Sequence, residues 1–197
     1  MARRLGLVLV LSLVLPATAL AASVHVRVEG KTQTIWGPTA PTLTATTAMD
    51  SLEQASIAGE FFYHVTVTSF GPYVDQIGRY GGSSDSGWVF KVNNVSPPVG
   101  ADQVTLKDGD NVLWYYATFG PTGGPPTLAL TSIAGGCYRV QAYDDAGKSI
   151  AVQNVVVHVG TKKSIPAAVG AKVCPGPHPG VLVRATGDGA VRSNALK

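Results

Sequence analysis

The residues of this sequence that could carry out chemistry are few and widely separated. A serine nucleophile would need a strand-to-helix elbow of the Gly-x-Ser-x-Gly type, and the serine-rich stretch 81–87 lacks that arrangement. His64 falls in a strand pattern without an evident partner. The aspartates and glutamates fall almost wholly in turn-forming stretches, although the sequence leaves a glycosidase-type carboxylate pair open. We therefore expect a protein that is not an enzyme and has no catalytic residues.

Metal-ligating residues are equally sparse. The four histidines, at positions 25, 64, 158 and 178, do not stand at ligand spacing from a cysteine. Residues 108–111 superficially match the start of a calcium loop, but the glutamate at the twelfth position and the middle ligands are absent. We expect no metal site and no bound cofactor.

The N-terminus has the pattern of a secretory signal peptide. Two arginines precede an apolar run from Leu5 to Leu15, and small residues suited to cleavage follow as far as Ala21. The run is about 11 residues long, whereas a bilayer span needs about 20. We expect residues 1–21 to be removed from a secreted, extracellular chain that has no transmembrane segment.

Two cysteines, Cys137 and Cys174, predict a disulfide bond, because an even number of cysteines in an exported chain favours pairing. The bond would close a loop of about 38 residues and stabilise the fold by about 3–4 kcal/mol. Two separate buried thiols are the alternative.

Composition excludes other classes. Of the 197 residues 45% are apolar and only 14% are charged, so the chain can form a core and is not disordered. Without the leader about 13 basic and 12 acidic residues remain, and no basic cluster is longer than Lys162–Lys163. Nucleic-acid binding and polybasic membrane attachment both need clustered cations, and we expect neither.

The hydrophobic pattern predicts two domains, residues 22–118 and 127–197, joined by a Gly/Pro linker at 119–126. In the first domain Thr47 is expected to cap a helix that ends at Gly59. Strands are expected at 24–28, 32–36, 63–68, 88–92, 104–106 and 112–117, and a long loop with exposed aromatic residues at 70–80.

This order of elements predicts an α+β fold, a β-grasp-like mixed sheet covering one helix. Beyond the linker, strand patterns at 128–130, 138–142, 155–159, 181–185 and 190–191 predict an all-β, immunoglobulin-like sandwich.

Four segments of the first domain follow one another in a specific order: Gly87–Asn94, Pro97–Asp102, Leu106–Asp110 and Trp114–Tyr116. This succession resembles the C-terminal domain shared by transcobalamin and intrinsic factor, and a widespread bacterial secreted domain similar to it. The resemblance covers about residues 24–118. The bacterial domain usually has glycine at the position of Asn94, and asparagine can adopt the same left-handed turn.

The resemblance implies a ligand and a place for it. In the transcobalamin group this domain covers one face of cobalamin through apolar and backbone contacts, and a separate helical domain completes the site. The segment 95–100 corresponds to the part that faces cobalamin, and its two prolines predict a stiff loop. No helical domain is recognisable in this sequence, so a partner or a second copy would have to supply the other half.

Concentrated aromatic residues add to these candidates, because rigid rings offer a large contact area at little entropic cost. Core packing of the strands and of the loop at 70–80 is the alternative for each of them. The residues expected to contact a ligand are Tyr73, Trp88, Phe90, Val95, Pro97, Pro98, Val99 and Gly100.

Two functions from different classes follow from these patterns. The first is a secreted, non-catalytic protein that binds a hydrophobic or ring-shaped small molecule, with cobalamin or another corrinoid as the ligand that the resemblance implies. The second is an extracellular structural or protein-interaction module without a small ligand, whose partner is a cell-surface protein. A concave cleft beside residues 97–100 would favour the first, and a loop lying flat on the sheet would favour the second.

Overall fold

The computed structural model describes residues 20–121 and 123–197. The predicted leader lies outside these residues except for its last two positions. The described residues form one α-helix, α1 (Ala48–Gly59), and 14 strands. The strands are β1 (Ala22–Glu29), β2 (Thr34–Trp36), β3 (Thr42–Ala45), β4 (Tyr63–Thr68), β5 (Gly71–Ile77), β6 (Tyr80–Gly81), β7 (Ser86–Val92), β8 (Asn111–Thr118), β9 (Thr127–Ile133), β10 (Cys137–Tyr143), β11 (Val155–Val159), β12 (Lys163–Ala167), β13 (Lys172–Val173) and β14 (Val183–Thr186).

A mixed sheet forms the centre of the first half of the chain. Its strands follow the order β2-β1-β8-β7, and β3 also pairs with β1. The β1–β8 pair is parallel and the other pairs are antiparallel. Val24, Val26 and Val28 of β1 are fully buried on one face, where they pack with helix residues such as Leu52. The sequence prediction of a mixed sheet over one helix agrees with this arrangement.

The opposite face of β1 carries polar residues. Alternation along the strand places His25, Arg27 and Glu29 there. Both Arg27 and Glu29 are buried because segments from the second half of the chain cover them. The sheet therefore has one apolar face and one buried, charged face.

The helix begins and ends as predicted, but the left-handed residue that follows it is not a glycine. Thr47 is the N-cap, and its hydroxyl accepts a hydrogen bond from the Asp50 N–H. The left-handed C-terminal residue is Glu60, with a φ of 51°, and not Gly59, which is still helical. Gly59 packs directly against the Trp36 indole, where a Cβ atom would overlap the ring. Close packing, and not backbone conformation, therefore requires glycine at position 59.

The prediction of a long loop at 70–80 is wrong. These residues form β5 and β6, which make a three-stranded antiparallel sheet with β4. The Asp75 carboxylate bonds across the strand pair, accepting from the Thr66 hydroxyl at 2.6 Å and contacting His64 Nδ1 at 2.7 Å. Side-chain pairs across two strands stabilise a hairpin that has few core contacts. The hydrophobic pattern of either strand alone does not show such pairs.

Two further strands were predicted where the structure has only isolated bridges. In the stretch 104–106 only Thr105 forms a bridge, with Thr47. In the stretch 190–191 only Val191 does so, in parallel with Thr127. Both stretches are too short to form a ladder, although Leu106 and Val191 are buried.

The second half of the chain consists of two three-stranded sheets, β13-β10-β9 and β12-β11-β14. Leu128 and Val140 of the first sheet share a core with Val157 and Ala185 of the second. Strands β12 and β13 were not predicted, because their outward-facing residues hide the alternation. The described chain is thus β-rich, whereas the immunoglobulin-like relationship and the domain boundaries stay predictions.

The predicted disulfide bond is confirmed. Cys137, at the start of β10, is bonded to Cys174, which directly follows β13, with an Sγ–Sγ distance of 2.09 Å. The bond fastens the short edge strand β13 to the rest of its sheet.

Within residues 20–121 and 123–197, no helix has the length and apolar character needed to cross a membrane.

Replacing Glu60 by glycine should stabilise the protein by about 0.5–1 kcal/mol, because glycine adopts the left-handed conformation without the steric cost that glutamate carries. The measurement is the free energy of unfolding from urea denaturation. Glu60→Ala is the matched control and should bring no gain, since alanine is also strained at this φ. A stabilisation by both substitutions would contradict the explanation.

Replacing both cysteines by serine should lower the free energy of unfolding by about 3–4 kcal/mol, because the bond closes a loop with a sequence separation of 37 residues. Denaturant unfolding of the oxidised protein and the double variant measures the difference. The two proteins should have equal stability once the parent is reduced, and a persistent difference would mean that the serines themselves disturb the fold.

Candidate functional site

An apolar cleft of about 290 Å³ lies beside strand β7, in the first half of the chain. Helix α1, the strands β5, β7 and β8, the loop 96–101 and one residue of the second half form its walls. The lining residues are Met49, Pro72, Tyr73, Val74, Trp88, Val89, Phe90, Ser96, Pro97, Gly100, Ala101, Trp114, Tyr115, Phe119 and Asp145.

The cleft follows the free edge of the central sheet, because β7 is the last strand in the sheet order. Asn93 donates its backbone N–H to the Asn111 carbonyl, and Phe119 donates to the Asp85 carbonyl. Antiparallel ladders alternate, so this register turns the N–H and C=O of Phe90 away from β8. In the described part of the chain no hydrogen bond to these two groups is found.

Two tryptophans form fixed walls of the cleft. Trp88 donates its indole N–H to the Tyr80 carbonyl at 2.8 Å, and Trp114 donates to the Ala48 carbonyl at 3.3 Å. Phe90 stacks on Trp114 with 5.1 Å between the ring centroids. Both indoles are 2% exposed, so they serve mainly as core, and each offers only a small surface to the cleft.

Tyr73 forms the opposite rim and is 42% exposed. Its hydroxyl lies against Gly87, where a Cβ atom would overlap it. Partial burial raises the pKa of the Tyr73 hydroxyl. Because Gly87 has no side chain, the Tyr73 ring can lie over the edge of β7.

Five of the eight residues predicted to contact a ligand line this cleft, and the other three do not. Tyr73, Trp88, Phe90, Pro97 and Gly100 come together in its walls.

The remaining three belong to the same loop but lie elsewhere. Pro98 and Val99 are exposed at its outer side. Val95 is 43% exposed, and its side chain lies next to Gly147 of the second half. The loop is thus concave towards the cleft only at Ser96–Pro97 and Gly100–Ala101.

Asp145 is one of ten lining residues that were not among the predicted ligand contacts. It lies in a turn of the second half, 49 positions from Ser96, and no local pattern connects it with the first half. Met49, Ala101 and Phe119 were also missed, because small and apolar residues in a helix or loop give no specific signal.

The Asp145 carboxylate connects the cleft with three segments. It accepts hydrogen bonds from the Ser96 hydroxyl at 3.2 Å and from the Gly124 N–H at 3.1 Å, and it lies 3.4 Å from Lys91 Nζ. Burial by itself would raise the pKa of Asp145, but the Gly124 N–H and the Lys91 charge hold it below its usual value.

Lys91 is fully buried on the charged face of the sheet. Its ammonium group donates to the Asp144 carbonyl at 2.8 Å and to the Thr127 hydroxyl at 3.2 Å. Burial lowers the pKa of Lys91, and the nearby Asp145 carboxylate opposes this shift. Lys91 and Asp145 together attach the second half of the chain to the strand that carries the cleft.

In the described residues, no three histidine, cysteine, aspartate or glutamate side chains come close enough together to hold a metal ion.

Comparison with known proteins finds a match to one family model over part of the chain, and similar solved structures, two of which are described below. Residues 44–118 match the model of a domain of unknown function, DUF4430. The match spans less than half of the chain, but it contains β7, β8, the loop 96–101 and most of the cleft. A search of curated proteins finds no match.

Two solved structures are similar over about half of this chain. The structure of haptocorrin in complex with Cbi is 17% identical, with a TM-score of 0.44, and the match covers 51% of this chain and 26% of that chain. A protein of Ruminococcus gnavus ATCC 29149, titled "a putative metal binding protein", is 14% identical, with a TM-score of 0.38 and coverages of 49% and 97%. This chain therefore spans about a quarter of the haptocorrin chain. Both scores are low, and neither likeness decides the fold or the function.

Acid should remove the stabilisation that Asp145 provides. Its folded-state pKa lies below the ordinary value of 3.8, so this contribution is present above pH 3.8 and is lost as the pH falls through the folded value. We expect the free energy of unfolding of the parent to exceed that of Asp145→Asn at neutral pH, with the difference shrinking below pH 3.8. Urea denaturation of both proteins at neutral and acidic pH measures it, and a pH-independent difference would contradict the assignment.

Proposed function

We propose that this chain is an exported, non-catalytic protein that binds a small apolar or ring-shaped molecule in the cleft beside β7. The observation that carries this proposal is the combination of aromatic walls with two free backbone groups at one sheet edge. Ligand sites are typically concave and apolar, with a few fixed polar groups that set the orientation.

Binding would use shape and burial. A flat ring would enter between Tyr73 and the loop at Pro97, and would lie against the Phe90 side chain. The N–H and C=O of Phe90 would supply polar anchors without any side-chain rearrangement. Because hydrogen bonds already fix Trp88 and Trp114, the walls are preorganised and little entropy is lost on binding.

A corrinoid is the ligand class that the sequence resemblance supports. The segments that carry the resemblance, Gly87–Asn94 and Pro97–Asp102, form two walls of this cleft. A volume of about 290 Å³ is just below the range of about 300–1,000 Å³ that encloses a drug-sized ligand. The cleft would therefore cover one edge or face of such a macrocycle, and a partner or a second copy would cover the rest.

Titration with cobinamide and with cobalamin tests this proposal. Binding should quench tryptophan fluorescence, because Trp88 and Trp114 are in the cleft walls, and it should shift the visible bands of the corrinoid. Tyr73→Ala should weaken binding about tenfold, since a lost aromatic contact costs about 1–1.5 kcal/mol.

Phe70→Ala is the matched control. Phe70 is 93% exposed and does not line the cleft, so its removal should leave the affinity unchanged. Equal losses in the two variants would place the contact outside the cleft. The absence of any spectral shift and of any quenching with both corrinoids would remove that ligand class and leave the apolar cleft to be tested with smaller aromatic molecules.

One observation favours the second candidate, a structural or protein-interaction module. The two cleft tryptophans are almost wholly buried, and Ser96 is fastened to Asp145 by two hydrogen bonds, as expected of a scaffold that holds two units together. Under this reading the protein partner would lie at the cell surface.

A further inference from the structure

A second cleft, of about 230 Å³, lies between the two halves of the chain. It is separate from the cleft beside β7 and opens where the charged face of the central sheet meets β9 and β10. Its lining residues are His25, Arg27, Ala40, Asn94, Asn111, Val112, Leu113, Ala129, Leu130, Thr131, Gln141, Tyr143 and Asn194. None of these is an aspartate or a glutamate.

Arg27 lies at the base of this cleft, and its side chain is 7% exposed. Its Nη1 atom donates to Glu29 Oε1 at 3.0 Å and to the Arg192 carbonyl at 2.5 Å. Among the described residues no hydrogen-bond acceptor is found for its Nε and Nη2 atoms. The Nε–H and Nη2–H groups of this nearly buried guanidinium are therefore the donors that a ligand in the cleft could use.

The surroundings of Arg27 carry an excess of positive charge. Three guanidinium groups, those of Arg27, Arg184 and Arg192, share the single carboxylate of Glu29. Glu29 Oε1 and Oε2 also accept hydrogen bonds from the Thr34 hydroxyl. Buried charges that are not fully paired are costly, so an anion near Arg27 would be favoured. Burial lowers the pKa of Arg27, and the Glu29 carboxylate opposes the shift.

The walls add neutral groups that can both donate and accept hydrogen bonds. The side chains of Asn94, Gln141 and Tyr143 line the cleft, and no hydrogen-bond partner for them is found in the described part of the chain. Amide and hydroxyl groups suit a ligand that carries hydroxyl groups of its own. Leu113 of β8 and Ala129 of β9 supply an apolar surface between them.

We propose that this cleft binds a small polyhydroxylated carboxylate of about the size of a sugar acid. The carboxylate lies against the free edge of the Arg27 guanidinium, where planar groups pair well. Its hydroxyl groups bond to Gln141, Tyr143 and Asn94. Since β1 and β10 supply opposite walls, the ligand also bridges the two halves of the chain. The site does not share a side chain with the cleft beside β7.

Titration of the intact protein with glucuronate, followed by two-dimensional ¹H–¹⁵N spectra, tests this proposal. The Arg27 Nε–H resonance and the side-chain amide resonances of Gln141 and Asn94 should shift in a saturable manner. Glucose has the hydroxyl groups without the charge and should bind at least about tenfold more weakly, because a hydrogen bond to a charged group contributes about 1.5–3 kcal/mol.

Two variants that leave the Arg27–Glu29 pair intact locate the site. Gln141→Leu and Tyr143→Phe should each weaken glucuronate binding about three- to tenfold, as expected for one lost hydrogen bond. Gln153→Leu is the matched control, because Gln153 is exposed and does not line the cleft, and it should bind glucuronate as the parent does. Where one variant does not fold, the other decides.

Four results would overturn the proposal. Sodium chloride at equal ionic strength could produce the same shifts, which would mean only that salt screens the arginine cluster. Glucose could bind as tightly as glucuronate, which would remove the role of Arg27. Glucuronate could bind both variants as tightly as the parent, or could shift none of the lining resonances. Corrinoid titrations report on a different cleft, so their outcome neither supports nor contradicts this one.

Discussion

The burial of the Glu29 carboxylate among three guanidinium groups is the constraint on which the arrangement of the two halves depends. Glu29 and Arg27 come from β1, whereas Arg184 and Arg192 come from the end of the chain. Removing one member would leave a buried charge without its partner, which is costly. These ion pairs therefore join the first strand of the central sheet to the C-terminal segments that cover it. Lys91 adds a second such attachment on β7.

The two faces of the central sheet are stabilised by different kinds of contact. The valines of β1 and the helix residue Leu52 form an ordinary apolar core on one face. The other face combines charged side chains with a smaller apolar cluster of Tyr115, Ala117 and Val191. Edge strands expose hydrogen-bonding groups that must be covered or tolerated. On β7 the loop 96–101 and Tyr73 cover this edge incompletely, and the cleft is the space that they leave.

Local rules predicted much of the first half. Alternating valines identified β1, Thr47 identified the helix start, and Asn94, which has a φ of 71°, adopts the left-handed conformation that the sequence suggested. Each of these depends on residues within a few positions of one another. The two cysteines were also informative, because a single pairing is possible.

The failures involve contacts between distant segments. The helix ends at Gly59 as predicted, yet glycine is required there by the ring of Trp36 and not by a left-handed backbone. The hairpin of β4 and β5 is supported by Asp75 across the pair, which no single-strand pattern contains. The same reason explains the candidate site. Its aromatic members were named from their concentration in the sequence and its proline segment from the family resemblance, whereas Asp145 enters only through tertiary structure.

The position of Asp145 has a consequence for how such a protein can change during evolution. A wall residue of the cleft belongs to a turn of the second half, and the same carboxylate holds the linker at Gly124 and the loop at Ser96. The two halves are therefore not interchangeable modules. Recombination that joined the first half to a different C-terminal unit would change the walls of the cleft beside β7, even if residues 22–118 were all kept.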